Sequence, residues 1–128
     1  MSVKGKEHMY NIIRPSSLFV VVFVALTASV LAQDVTGTWK AMVELTIGAG
    51  EPTFVFEQND GQVTGTYAGT FGGADLTGAV TGDTIEFFFE VPMAGTVTYT
   101  GTISGNTMEG TCDYGQIGGG TWEAKRVQ

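Results

Sequence analysis

The chain is short of the residues that carry most enzyme chemistry. Its 128 residues include one cysteine, one histidine, three prolines and six basic side chains against 13 acidic ones. The single histidine, His8, lies in a leader-like N-terminal stretch. Without that stretch no imidazole remains. This excludes the usual general base, the Ser-His-Asp triad and every His-based metal site. A lone Cys112 excludes a disulfide within the chain. Carboxylates are what is left. Glu44, Glu86, Glu90, Glu109, Asp113 and Glu123 all fall on the outward parity of the strands assigned below. No inward pair then faces another across a cleft, as glycoside hydrolysis requires. Asp60 and Asp83 sit beside glycines, where Asp is ordinary turn chemistry rather than a cation ligand. The expectation is a non-enzyme with no cofactor and no metal.

Positive charge and long apolar runs are equally scarce. The one long run, Leu18 to Leu26, is shorter than the ~20 residues of a spanning helix. It follows the basic Lys4, Lys6 and Arg14 and precedes Val30 and Ala32, small residues suited to a signal-peptidase site before Gln33. Residues 1–32 therefore read as a signal peptide, with an uncleaved membrane anchor as the alternative. The product is a secreted or periplasmic domain of residues 33–128, with no membrane span of its own. The leader takes with it Glu7 and three of the six basic residues, so 12 acidic and three basic side chains leave a net charge of −9. Such a surface does not suit nucleic acid, whose phosphates need a basic face.

Glycine, by contrast, is abundant, at 19 residues. Five stretches share the pattern apolar, any, Gly, small, apolar: Val35 to Trp39, Val63 to Tyr67, Leu76 to Val80, Tyr99 to Ile103 and Met108 to Cys112. A degenerate sixth runs from Gly118 to Trp122. Apolar residues alternate through these stretches with the period of a half-buried strand, and no segment after residue 32 has helical spacing. Eight strands are expected, at 35–46, 52–58, 63–69, 75–81, 84–91, 95–103, 107–114 and 119–127. Asp60-Gly61 suits a type I′ turn, and Gly82-Asp83 and Gly105-Asn106 suit type II′. These turns would pair Phe56 with Gly65, Gly78 with Phe87 and Tyr99 with Cys112. The fold class is thus all-β: an eight-stranded antiparallel up-and-down barrel, with a two-sheet β-sandwich as the alternative. The strand glycines are read as the places where the sheet coils sharply enough to close. An outer-membrane barrel is excluded, because one face carries the aromatics and the other mostly Thr and Glu.

The three tight turns share one end of such a barrel. The other end has four looser connections, around residues 48–52, 70–73, 92–95 and 115–119. Barrel mouths are frequent ligand sites. An apolar small ligand entering there would meet Phe71, Met93, Tyr114 and Ile117 at the rim, and Tyr67, Tyr99 and Trp122 deeper inside. Eleven aromatics in residues 33–128 also suffice to fill the barrel solid. Phe88 alternates outward between Glu86 and Glu90, as an interface anchor would. The function expected is a structural or protein-interaction module, with a carrier of a small apolar ligand as the alternative. Its partners would be a protein, a second copy of the chain, or that ligand.

Thr36-Gly-Thr-Trp39, Phe54-Val-Phe56 and Gly61 to Tyr67 resemble the opening hairpins of the avidin/streptavidin family. The resemblance implies a self-closing eight-stranded barrel of lipocalin-like build, and Tyr67 matches a ligand-contacting tyrosine of that family. It does not carry the biotin site across. Ala41 and Gly69 stand where the family places polar residues, and Trp39 and Trp122 are the only tryptophans. The whole of 33–128 looks more like small exported bacterial β domains of unestablished activity.

Overall fold

The computed structural model describes residues 33–128, so the expected leader at 1–32 lies outside the described residues. The strands are β1 (Gly37–Leu45), β2 (Gly48–Gly50), β3 (Thr53–Asn59), β4 (Gln62–Gly69), β5 (Gly72–Thr81), β6 (Thr84–Val91), β7 (Gly95–Ser104), β8 (Thr107–Asp113) and β9 (Gly119–Arg126). The sheet runs β2-β1-β3-β4-β5-β6-β7-β8-β9. It closes because β9 returns antiparallel to β1, from Trp39 opposite Arg126 to Leu45 opposite Gly120. The fold is a closed eight-stranded antiparallel barrel with one extra short strand, β2. Closure sets the sandwich aside, since each barrel strand is paired on both sides.

Alternation makes the strands and fills the inside. Along β6, Ile85, Phe87, Phe89 and Val91 are buried while Thr84, Glu86, Phe88 and Glu90 are exposed. The tight turns hold the expected register: Phe56 opposite Gly65, Gly78 opposite Phe87 and Tyr99 opposite Cys112. Gly82 and Gly105 take φ of 61° and 62° at the first turn position, as type II′ requires. The type I′ expectation for Asp60-Gly61 is corrected. Asp60 has φ 58°, but Gly61 is not in the left-handed region. The Gly61 carbonyl instead accepts the Val80 N–H at 2.8 Å, which ties it to β5.

The strand glycines sit where strands crowd. A Cβ on Gly65 would lie 1.8 Å from the Val55 carbonyl oxygen, and one on Gly110 would lie 1.9 Å from that of Thr100. Only a hydrogen fits there, and the close approach lets neighbouring strands turn inward.

At the tight-turn end the chain forms a plug. The first strand was expected from residue 35, but β1 starts at Gly37, because Gln33–Thr36 crosses the barrel end. Gln33 N–H donates to the Gly82 carbonyl (3.1 Å), Val35 N–H donates to Gln58 Oε1 (2.9 Å), and the Val35 side chain is buried. Trp39 Nε1 donates to the Val35 carbonyl at 2.9 Å. The Arg126 guanidinium lies 4.6 Å from the Trp39 ring and donates to the carbonyls of Asp34 and Thr36.

The opposite end is more ordered than its composition suggested. The first expected loop contains a hairpin: β1 turns at Thr46-Ile47 and β2 pairs back on Val43–Leu45. β3 takes the same edge of β1 from Gly37 to Lys40. Between them Ala41 N–H donates to the Pro52 carbonyl at 3.0 Å, and Pro52, lacking an N–H, cannot continue the ladder. Thr70-Phe71 is another two-residue turn, between Gly69 and Gly72. A 3₁₀ turn at Gly115–Ile117 follows β8. Gln116 N–H donates to the Ala94 carbonyl (3.2 Å), joining the last two connections.

Candidate functional site

The barrel interior is packed with rings. Phe54 stands at the centre, within 6.5 Å of Phe56, Tyr67, Phe87, Phe89 and Tyr99 centroid to centroid. Tyr67 stacks on Phe89 at 4.2 Å and Phe87 on Tyr99 at 4.9 Å. Trp122 meets Tyr99 at 5.2 Å, and its Nε1 donates to the carbonyls of Thr100 and Thr111. Offset and edge-to-face pairs of this kind each add ~0.5–1.5 kcal/mol beyond the burial of their area.

Polar atoms inside are paired with one another. The Tyr99 and Tyr114 hydroxyls share a hydrogen bond of 2.5 Å. Burial, then the neighbouring Tyr114, pushes the Tyr99 phenol well above its ordinary range. Burial likewise raises Tyr114. Both are neutral phenols at any physiological pH. Burial, reinforced by Asp113, pushes the Cys112 thiol up to about 11, so it is protonated and poorly nucleophilic at neutral pH. No buried side-chain nitrogen or oxygen among the described residues is left without a partner. Nor do those residues include a group of three or more His, Cys, Asp or Glu placed to hold a metal ion.

One open space lies to one side of the mouth. A cleft of about 240 Å³ runs between the β1–β2 hairpin and the β4–β5 turn. Leu45, Ile47, Pro52 and Phe71 form its walls, Tyr67 and Tyr114 lie at its base, and no charged side chain lines it. Gly69 shapes that base. A Cβ there would come 2.6 Å from the Tyr67 hydroxyl, so the missing side chain gives the phenol its place.

Of the residues named from sequence, Tyr67, Phe71 and Tyr114 come together at this cleft. Phe71 is half-buried and its ring lies 5.7 Å from that of Tyr114. Tyr99 and Trp122 are buried deeper, in the packed core. Ile117 packs on the outside of that core, and Met93 projects into solvent at 71% exposure. Neither lines the cleft. Phe88 is 48% exposed on the outer face of β6. Sequence reasoning missed Leu45, Ile47 and Pro52. The signal was present for Leu45, which continues the inward parity of Trp39, Ala41 and Val43, but the hairpin that brings Ile47 over the mouth has no such mark.

No known protein family matches the chain, and no characterised protein matches it significantly.

Proposed function

We propose that this domain is an exported, non-catalytic structural or protein-interaction module. The observation that carries the reading is the ring-filled interior. A carrier barrel needs an enclosed apolar void, in the range of roughly 300–1,000 Å³ for drug-sized ligands. Here Phe54, Phe87, Phe89 and Tyr99 crowd that volume, and the cleft at the mouth, of about 240 Å³, is open to solvent. A ring-filled barrel offers its outer surface, and Phe88 between Glu86 and Glu90 is an exposed aromatic on it. Titration with a fluorescent apolar probe tests the reading. The module shows no saturable one-to-one binding. Tight stoichiometric binding that quenches Trp122 would overturn it.

One observation favours the second reading, a carrier of a small apolar ligand at the mouth. The cleft is uncharged, and Gly69 leaves room for the Tyr67 hydroxyl at its base. If the same probe binds once per chain and Phe71→Asp abolishes that binding, the carrier replaces the module. The resemblance to avidin supports the barrel but no biotin-type site: Ala41 is a buried wall residue.

A further inference from the structure

A second concavity lies outside the barrel. A groove of about 510 Å³ crosses the outer surface of β1, β9 and β8, among Lys40, Met42, Glu51, Glu109, Glu123 and Lys125. Its size falls within the range of small-molecule sites. The strand register sorts four of its five charges by sign, and the fifth, Glu51, lies between β2 and β3. Lys40 stands directly opposite Lys125, and Thr107 follows in the same row. Two residues further along β9, Glu123 stands directly opposite Glu109, with Met42 on its other side. The two lysines are the only ones in residues 33–128, a stretch with 12 acidic side chains. Like charges directly opposite on a sheet are destabilising. Here two such pairs, of opposite sign, stand side by side on one apolar-edged groove. Diagonal attraction between the exposed rows is of the same order as this repulsion, ~0.2–1 kcal/mol per pair.

We propose that this groove binds a small zwitterion, an ω-amino carboxylate whose two charges lie about 7 Å apart. Two residues of strand separate the rows by ~6.7 Å. The ligand carboxylate sits between the ammonium groups of Lys40 and Lys125. Its ammonium sits between the carboxylates of Glu109 and Glu123, and its methylenes cross the Met42 side chain. Each end thus relieves one like-charge pair. The reversed orientation sets like against like, so the site also fixes direction. The groove lies outside the barrel, so the inference stands whether or not the interior admits a ligand.

The test is an NMR titration of the 33–128 domain with 5-aminopentanoate at low ionic strength, beside pentanoate and pentylamine. The zwitterion shifts the resonances of Met42, Thr107 and Lys125, and each half-ligand binds at least about tenfold more weakly, a difference of ~1.4 kcal/mol. Lys125→Gln and Glu123→Gln each weaken the zwitterion by a similar factor, while Phe71→Asp leaves it unchanged. Retained peak dispersion shows that the variants are folded. Absence of shifts on this face overturns the proposal. So does equal affinity for zwitterion and half-ligand, or binding indifferent to both charge-removing variants.

Discussion

Gly65→Ala isolates the close approach of β3 and β4. The new methyl carbon would stand 1.8 Å from the Val55 carbonyl oxygen and 3.2 Å from the Phe56 Cα. Both obstacles are backbone, so no rotamer change relieves the clash. A tolerable C···O contact is about 3.3 Å, so the strands must part by roughly 1.5 Å at this pair. That stretches about two ladder hydrogen bonds, each worth ~0.5–1.5 kcal/mol net. It also strains the packing of Phe56 against Trp39 and Phe87 by an overpacking cost of ~1–3 kcal/mol. Loss of glycine's freedom in the unfolded chain returns ~0.4–1 kcal/mol. The expected net destabilisation is about 3 kcal/mol. Urea unfolding followed by tryptophan fluorescence measures it as a lower midpoint at unchanged slope. For a domain of this size it is a fall in Tm of about 12–24 °C. Gly73→Ala is the control. Its Cβ would meet only the Tyr67 carbonyl, at an ordinary 3.5 Å, and it should stay within ~0.5 kcal/mol of wild type. If the two variants unfold together, the glycines are not what permits curvature, and the account of closure fails.

Tyr99→Phe and Tyr114→Phe each strand a buried hydroxyl, since these two groups bond to each other, and should cost ~1–3 kcal/mol apiece. The double variant should cost less than their sum, and strict additivity in the double-mutant cycle would contradict the pairing. The alkaline limb of stability follows from the same burial. Cys112, Tyr99 and Tyr114 all have folded-state pKa values raised above their unfolded ones. Their contribution is therefore complete below about pH 9, where the unfolded Cys112 begins to ionise, and is lost as pH rises further. The urea midpoint should fall from about pH 9 upward, less steeply in Cys112→Ala, and a flat or rising midpoint would refute the assignment.

The alternation of apolar and polar residues by itself determined the eight barrel strands (but not β2), their inward faces and, through Asp60-Gly61, Gly82-Asp83 and Gly105-Asn106, three registers. These are local properties. Side chains point to opposite faces with a period of two, and a two-residue turn leaves a single pairing for its flanks. Phe56 opposite Gly65 and Gly78 opposite Phe87 follow from nothing more. The tertiary structure decided what no local pattern encodes. Pairing of Trp39 with Arg126 closes the barrel between strands far apart in sequence. Gln33–Thr36 becomes a plug rather than a strand because Gly82, Gln58 and Arg126 wait for its backbone. The mouth loops are tighter than their glycine content suggests because hydrogen bonds between connections, such as Gln116 to Ala94, supply order that composition does not show. The lysine and glutamate rows of the outer groove exist only once β9 has docked between β1 and β8. Long-range pairing carries an entropic cost of loop closure that no five-residue window can register, and so the sites, unlike the strands, had to await the closed fold.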